Sequence, residues 1–188
     1  MEQTMGSRFF SFVGATSGEW RVSSIVGVAG ANLEGASCLQ IHNANLSALP
    51  EGACWVLRGV TSNARYTTRA EQTALAALQA PIGRPHCSHA ALIPITKNAL
   101  WWSLTQDERR EIMEERSAHI EVGMRYLPAI ARRLHHGRDI GEPFDFLTYF
   151  EYAQSESAAF EELVGALRRS EEWKYVEREV DIRLERDV

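Results

Sequence analysis

Apolar and polar residues alternate along the last part of the chain. Between residues 175 and 185, Val180, Ile182 and Leu184 fall on one side, and acidic or basic residues occupy the other. An alternation with a period of two is typical of a strand that is buried on one face only. We therefore expect a half-buried strand at 175–185.

The same pattern predicts several elements in the first half of the chain. Short apolar runs separated by Gly and Ser indicate strands and turns between residues 8 and 52, and a further strand at 53–60. Apolar positions at helical spacing predict a helix at 68–79. Proline and glycine at 81–85 then indicate a linker.

The second half of the chain has a clearer order of elements. The stretch 103–108, in which Ser or Thr precedes Gln or Glu by three residues, is typical of a capping box at the start of a helix that continues through Arg116. The complete series is a strand at 89–97, this helix, strands at 129–136 and 144–152, a helix at 155–169 and the strand at 175–185. Strand, helix, strand, strand, helix, strand is the ferredoxin-like, split βαβ arrangement.

These elements define an α+β fold. The first half, 1–84, is interpreted as a shortened version of the same ferredoxin-like plan, and residues 85–188 form the complete version. We expect the two halves to pair their sheets into one barrel-like core. No repeat is visible in the residues themselves, so this duplication is inferred from the order of elements alone.

Composition narrows the class of protein. The chain has 188 residues, of which 45% are apolar, so it can bury a substantial core. Its formal net charge of -5 gives no overall basic field for nucleic acid or anionic lipid. The three cysteines show no CxxC spacing, the first residues do not resemble a signal peptide, and no apolar run is long enough to span a membrane. We therefore expect a cytoplasmic protein.

Arg132 is the first residue that suggests chemistry. In a strand, Arg132 faces the same side as Ile130 and Leu134, which predicts that its guanidinium lies on a buried face. Arginine stays charged in proteins, so a buried guanidinium needs a carboxylate or a bound anion beside it. The alternative is an arginine that extends to solvent from a strand edge.

His119 is the second candidate. It lies where the helical pattern weakens, ahead of Gly123 and Pro128. Taken alone, it is most simply explained as a surface or structural histidine. A histidine that binds iron needs an acceptor for its other ring nitrogen, and a carboxylate from another element could provide one.

Two adjacent pairs complete the candidates. His135 and His136 alternate across a strand and are interpreted as a surface pair. Trp101 and Trp102 cannot both face one core, so we expect one to line a pocket and the other to form a subunit contact. Ordinary burial of one tryptophan and exposure of the other is the alternative.

Taken together, several motifs resemble the chlorite dismutase family, over about residues 53–185. The motifs are Pro94-Ile95-Thr96-Lys97-Asn98 leading to Trp101-Trp102, then His119, then Arg132-Arg133-Leu134, then Asp145-Phe146-Leu147-Thr148-Tyr149-Phe150-Glu151. The chain is similar to the short, dimeric, cytoplasmic branch of that family. The order of these motifs along the chain identifies the family more specifically than any one motif does.

The resemblance implies a homodimer that binds haem b in its C-terminal half. His119 matches the iron ligand of the family, and Glu172 matches the carboxylate that accepts a hydrogen bond from that histidine. Lys97 matches a lysine of the same network. Trp101 is included among the residues that contact the cofactor. A carboxylate partner increases the electron density of the imidazole and stabilises oxidised iron.

The resemblance also implies a reaction, the conversion of chlorite to chloride and dioxygen with formation of an O–O bond. Arg132 matches the distal arginine that would guide the anion and hold transient hypochlorite. Thr148 and Phe150 would line the distal side. Gln79 matches, by position, a glutamine that lies against this arginine.

Two rival functions remain open at this point. One is a coproheme decarboxylase, the haem-synthesis branch of the same family, which Arg132 and the short N-terminal half disfavour. The other is a haem-binding dimeric module without turnover, in which Arg132 is a structural ion-pair partner.

Overall fold

The computed structural model describes residues 8–61 and 67–187. In these two ranges, eight antiparallel strands form a closed barrel in the order β1-β3-β2-β8-β5-β7-β6-β4. The α+β class and the barrel-like core are therefore confirmed. The strands are β1 Phe9–Ala15, β2 Trp20–Ala29, β3 Cys38–His42, β4 Ala53–Thr61, β5 His89–Lys97, β6 Ala131–His136, β7 Phe146–Tyr152 and β8 Val176–Glu185.

Short helices accompany the barrel. They are α1 Arg69–Leu78, α2 Ala99–Ser103, α3 Gln106–Arg110, α4 His119–Arg125 and α5 Ser157–Arg168. A π-helical turn, Glu111–Arg116, continues α3, and 3₁₀ turns occupy Arg138–Ile140, Gln154–Glu156 and Glu171–Tyr175. None of the helices in the described ranges is long and apolar enough to cross a membrane.

The C-terminal half has the ferredoxin-like arrangement. Its strands lie in the order β8-β5-β7-β6, with α2 to α4 between β5 and β6 and α5 between β7 and β8. Each crossover brings its helices onto the outer face of the barrel. A sheet covered by helices on one side and by the barrel core on the other buries both of its faces.

The N-terminal half repeats the strand order without the crossover helices. Its strands lie in the order β4-β1-β3-β2. In both halves the sheet order is therefore fourth, first, third and second strand of that half. Loops replace both helices, and α1 follows the fourth strand. The halves join where β2 pairs with β8 and β4 pairs with β6. The boundary at residue 84 stays a prediction.

Two apolar cores stabilise the structure. One fills the barrel and includes Phe12, Trp20 and Leu39 from the N-terminal half. The other packs α5 against the outer face of β5 and β7, with Phe150 and Phe160 in edge-to-face contact at 5.2 Å between ring centroids. Burial of a side chain of this size contributes about 1.5–3 kcal/mol.

Helices α1 and α3 begin at capping residues that are visible in the sequence. Thr68 and Glu71 form a reciprocal capping box at α1, and Thr105 and Glu108 form one at α3. The predicted helix at 68–79 is therefore confirmed within one residue at each end. The predicted helix through Arg116 is present, although its last turn is π-helical.

Two expectations about orientation were wrong. His135 and His136 are both buried rather than a surface pair, because β6 lies between the barrel core and the helix layer. The polar side of β8 is also buried at Glu179 and Asp181, where Arg168 of α5 neutralises both carboxylates. The strand predicted at 144–152 begins at Phe146, and Phe144 precedes it and packs in the barrel core.

Candidate functional site

A cleft lies on the outer face of the barrel, between the β5-β7-β6 sheet and the helices that cover it. The cavity has a volume of about 90 Å³ and opens to solvent along one side. Antiparallel register brings alternate residues of the three strands to one face. The sheet side of the cleft is formed by Ile93, Ile95, Arg132, Leu134, Phe146, Thr148 and Phe150.

His119 enters the cleft from the first position of α4. The backbone reaches it through Ala118, which has a left-handed conformation with φ of 49°. Glu114 accepts a hydrogen bond from the backbone N–H of Ile120 at 2.9 Å, so a side chain from the π-helical turn caps α4. The imidazole lines the cleft together with the sheet residues.

One ring nitrogen of His119 is fixed by a carboxylate. Its Nδ1 lies 2.6 Å from Oε2 of Glu172, in the 3₁₀ turn before β8. An ionised carboxylate only accepts, so Nδ1 donates this hydrogen bond, and in the neutral imidazole Nε2 then has a free lone pair. In the described ranges Nε2 has no hydrogen-bond partner, which leaves it available as a ligand for a metal.

Lys97 holds the other side of the same carboxylate. Its Nζ donates to Oε1 of Glu172 at 2.9 Å, and lies 4.7 Å from the ring centroid of Trp101. Lys97 and Glu172 are almost fully buried. A buried ion pair needs such complete pairing, since removal of one partner typically costs about 3–5 kcal/mol.

The charge of Glu172 follows from these contacts. Burial alone would raise the pKa of its carboxyl, but His119 and Lys97 hold that pKa well below its usual range. The Oγ of Ser117 also accepts a hydrogen bond from the backbone N–H of Glu172 at 3.0 Å. The carboxylate is therefore a fixed acceptor at neutral pH, positioned by three separate elements.

Arg132 lies in the same cleft, and none of the carboxylates in the described residues forms an ion pair with it. It pairs with Phe150 in the β6-β7 register, and it forms no hydrogen bond through its guanidinium and no ion pair in the described residues. Burial lowers the pKa of Arg132 from its usual value. The side chain is partly buried, so the predicted burial is confirmed in part. The expected carboxylate partner is not among the described residues, and the guanidinium therefore has donors available for an anion.

Thr148 and Phe150 line the cleft, beside Leu134 and Arg132. Their place on the distal side of a haem stays a prediction. Trp101 also lines it and is fully buried. Gln79 lies close to Arg132, but its amide donates to the backbone carbonyl of Arg132 at 2.8 Å. The contact of Gln79 is therefore with the strand, not with the guanidinium.

Trp102 is half-buried beneath the sheet. Its ring stacks on Phe146, and the guanidinium groups of Arg109 and Arg138 lie 5.0 and 4.0 Å from its centroid. Its Nε1 donates to Asp145 at 3.2 Å. The prediction that one tryptophan lines a pocket is confirmed for Trp101, and the subunit contact of Trp102 stays a prediction.

Gly123 was not recognised from the sequence. A Cβ built on this residue would lie 2.0 Å from Nη1 of Arg132, so the guanidinium rests directly against the bare backbone of α4. A glycine inside a helix is unfavourable and often has a packing reason, which was the available signal. Met113 and Trp173 also line the cleft, and no sequence pattern distinguished them from core residues.

The donor set suits a metal inside a larger organic cofactor better than a bare metal ion. In residues 8–61 and 67–187, no group of three His, Cys, Asp or Glu side chains could hold a metal ion. His119 offers one nitrogen in a mostly apolar cleft, and the buried Nε1 of Trp101 has no partner there. A single axial imidazole with a carboxylate behind it is the arrangement that haem iron uses.

Comparison with known proteins agrees with this site. The profile of the chlorite dismutase family matches residues 37–186, and the chain belongs to that family. A chlorite dismutase from Ideonella dechloratans is 36% identical over 86 residues, which are 46% of this chain. That match spans 28% of the length of the Ideonella protein.

Solved structures show the same fold. The crystal structure of a dimeric chlorite dismutase from Nitrobacter winogradskyi has a TM-score of 0.88 and 55% identity, over 95% of this chain and 99% of that one. A mutant chlorite dismutase from Candidatus Nitrospira defluvii has a TM-score of 0.67 and 19% identity, over 96% and 92% of the two chains. The latter likeness concerns the fold alone.

Proposed function

We propose that this protein is a haem b-dependent chlorite dismutase that converts chlorite to chloride and dioxygen. The observation that carries the proposal is the pairing of two features in one cleft. The first is the His119, Glu172 and Lys97 network, and the second is the unpaired guanidinium of Arg132. Membership of the chlorite dismutase family and the likeness to the Nitrobacter enzyme support it.

Haem would be held through His119, with Glu172 and Lys97 behind it and Trp101, Thr148 and Phe150 along the cleft. When bound, the iron supplies the redox chemistry that takes an oxygen atom from chlorite. Gln79 supports the strand that carries Arg132 rather than the cofactor.

Glu172 would set the properties of the ligand. Its carboxylate fixes the Nδ1 proton of His119 and raises the basicity of the ring, which stabilises oxidised iron. Lys97 keeps that carboxylate ionised and in place. These two residues act through His119 and do not touch the substrate.

Arg132 would act on the substrate. Its unpaired positive charge attracts the chlorite anion into an otherwise apolar pocket, where electrostatic interactions are strong. The same charge would hold hypochlorite until the O–O bond forms. The bulk of Leu134, Phe146 and Phe150 would keep the space beside Arg132 small and exclude water.

The assembly and compartment are also proposed. The Nitrobacter relative is described as dimeric, and 55% identity over nearly the whole of both chains supports a homodimer here. A net charge of -5 and three cysteines without a disulfide in the described residues fit a reducing cytoplasm. A detoxifying role, removing chlorite, follows from the proposed reaction.

Titration with haemin followed by a chlorite assay tests the proposal. We expect stoichiometric haem uptake with a Soret band, and oxygen release from chlorite at an oxygen electrode. Haem uptake without oxygen release would favour the binding module without turnover. Release of carbon dioxide from coproheme with no action on chlorite would favour the decarboxylase, and no haem uptake would contradict all three functions.

A further inference from the structure

Strand β2 has a neighbouring strand on both sides only at its beginning. Trp20 and Arg21 pair with β3 on one side, and from Arg21 to Ala29 the strand pairs with β8 on the other. Within residues 8–61 and 67–187, no strand pairs with the far side of β2 beyond Arg21. A strand with one free edge is a place where another chain can add to a sheet.

The loop that follows β2 covers only the first part of this edge. The backbone N–H of Val22 donates to the carbonyl of Ser37 at 2.9 Å, and the amide of Asn32 donates to the carbonyl of Ile25 at 3.2 Å. In the described residues, the loop forms no hydrogen bond with the backbone of 26–29. The end of β2 is therefore supported by β8 alone.

The same segment exposes apolar side chains. Ile25 packs against the barrel core, whereas Val26 and Val28 are 51% and 43% exposed. Among the described residues, β2 is the only element that exposes two large apolar side chains. Gly27 between them is also exposed, and because it has no side chain, its exposed surface is backbone. Native proteins normally protect such an edge with charge, proline or a covering element.

The charged groups beside this segment are already paired. In the β2-β8 register, Val26 lies opposite Asp181 and Ala29 lies opposite Glu179. Arg168 forms ion pairs with both acids, at 2.8 and 2.6 Å. Two copies of a chain with a net charge of -5 repel each other, so a contact between them favours a surface without free acids.

The remaining exposed apolar side chains of the described residues occur one to an element. Leu100 is the most exposed of them, at 68%, and it lies close in sequence to Trp102. The ring of Trp102 itself is in contact with Phe146 and with two guanidinium groups of its own chain. Trp102 therefore offers less free apolar surface than β2 does.

We propose that residues 26–29 of β2 form the contact between the two subunits of the homodimer. The two β2 strands would run antiparallel across a twofold axis near Gly27, with Val26 of one subunit against the partner's Val28. Gly27 would let the two backbones approach closely. A second copy is the expected partner because the Nitrobacter relative is dimeric. The proposal rests on the proposed homodimer and is independent of haem binding.

Size-exclusion chromatography with light scattering tests the proposal on the protein without added haem. We expect the original protein to have the mass of two chains. The double variant Val26→Glu/Val28→Glu should be monomeric, with a dimer dissociation constant at least about 100-fold higher, because like charges would meet at the axis. The mass of one chain for the original protein would contradict the homodimer itself. A double variant that stays dimeric would contradict only the proposed contact.

Leu49→Glu and Leu100→Glu are the matched controls. Leu49 is 51% exposed, like Val26, and Leu100 represents the surface beside Trp102. Both variants should stay dimeric. Dissociation of either control, together with a dimeric Val26→Glu/Val28→Glu variant, would place the contact away from β2 and overturn the proposal.

A mixture of oppositely charged variants separates loss of the contact from loss of the fold. Val26→Lys/Val28→Lys should also be monomeric alone, by the same repulsion. Mixing it with Val26→Glu/Val28→Glu should restore the mass of two chains, because each glutamate would lie against a lysine across the axis. Failure to recover a dimer from two variants with native circular dichroism would overturn the proposed pairing.

Val28→Thr keeps the test valid if the charged variants fail to fold. Threonine has nearly the shape of valine but would bury a hydroxyl in the contact from each subunit. Burial of a hydroxyl without a hydrogen bond is unfavourable, so the dimer dissociation constant should rise about tenfold or more. An unchanged dissociation constant in analytical ultracentrifugation would overturn the proposal.

Discussion

At the scale of single residues, the side chains of His119 and Arg132 are held in the cleft in different ways. His119 is fixed by Glu172, which Lys97 and Ser117 hold in turn. Among the described residues the guanidinium of Arg132 has no such partner, and it lies against the backbone of Gly123. A ligand for iron benefits from fixed geometry, whereas a residue that guides an anion needs unused hydrogen-bond donors.

The carboxylate behind His119 gives the first prediction. Glu172→Gln should weaken haem binding about 10- to 100-fold, since second partners of metal ligands typically contribute this much. It should also raise the reduction potential, because the imidazole loses electron density. Haem titration and spectroelectrochemistry measure the two effects.

Glu171→Gln is the matched control for this change. Glu171 is adjacent, but it pairs with Arg116 at the surface, where an ion pair contributes at most about 1 kcal/mol. Both haem affinity and potential should stay at their original values. Equal behaviour of the two variants would remove Glu172 from the account.

The arginine of the cleft gives the second prediction. Arg132→Ala should keep haem but lower the turnover of chlorite by at least about tenfold, as expected for the loss of one charged stabilising group. Hypochlorite should escape and bleach the haem within fewer turnovers. Oxygen yield and decay of the Soret band measure these effects, and Arg133→Ala serves as a control on the other sheet face. Unchanged oxygen yield in Arg132→Ala would contradict the role.

At the scale of elements, the helical region between β5 and β6 positions the side chain of His119 and contacts that of Arg132. The sequence predicted a helix through Arg116 and a weakened pattern near His119. It did not predict the π-helical turn or the left-handed Ala118, because neither has a residue signature. The corner that presents His119 results from tertiary packing.

Helix α4 gives the third prediction. Alanine in place of a helical glycine normally stabilises a protein by up to about 1 kcal/mol. In Gly123→Ala the new methyl would displace the Arg132 guanidinium, so the variant should gain no stability. Fluoride binding to the haem-loaded protein should weaken about tenfold through loss of hydrogen bonds from Arg132.

Gly165→Ala in α5 is the matched control for this prediction. A Cβ there would meet only the flexible end of Arg169, at 3.1 Å. This variant should gain stability in urea unfolding and bind fluoride normally. If Gly123→Ala gained as much stability and kept its fluoride affinity, Arg132 would not depend on the bare backbone.

At the scale of the whole molecule, the fold was predictable in part. Periodicity and caps gave the elements of the C-terminal half in the correct order, because each buries one face. In the N-terminal half, short apolar runs showed that strands exist but not how they pair. Closure through β2-β8 and β4-β6 joins distant parts of the chain, which local pattern cannot reveal.

The site was predictable to a similar extent. The family resemblance brought together His119, Glu172 and Arg132, and the structure places all three in one cleft. Strand parity alone predicted that Arg132 is buried, but it could not show whether a carboxylate meets it. The buried His135 was wrongly placed at the surface, because parity does not show that both faces of β6 are covered.

The buried His135 gives the fourth prediction, about stability. Its pKa is about 4 in the folded protein against an ordinary value of 6.5, so the unfolded chain takes up the proton first as pH falls. Stability that is present above pH 6.5 is therefore lost as pH falls toward 4. At 1.36 kcal/mol per pKa unit, the loss is about 3 kcal/mol.

Urea unfolding near neutral pH and near pH 4 measures this loss. His135→Phe removes the proton uptake and should reduce the pH dependence of the unfolding free energy by about 3 kcal/mol. His86→Phe, at an exposed position in the linker, should leave the dependence as it is in the original protein. An unchanged dependence in His135→Phe would show that this histidine does not titrate on unfolding.

The account depends most on one pocket that forms the O–O bond from a single chlorite ion held beside Arg132. A mixture of unlabelled chlorite and chlorite carrying ¹⁸O at both oxygens tests this most directly, with mass spectrometry of the dioxygen released by the haem-loaded protein. Because both oxygen atoms come from one chlorite ion that stays beside Arg132, dioxygen should contain two light or two heavy atoms and almost no mixed pairs. A statistical proportion of mixed dioxygen would contradict the account.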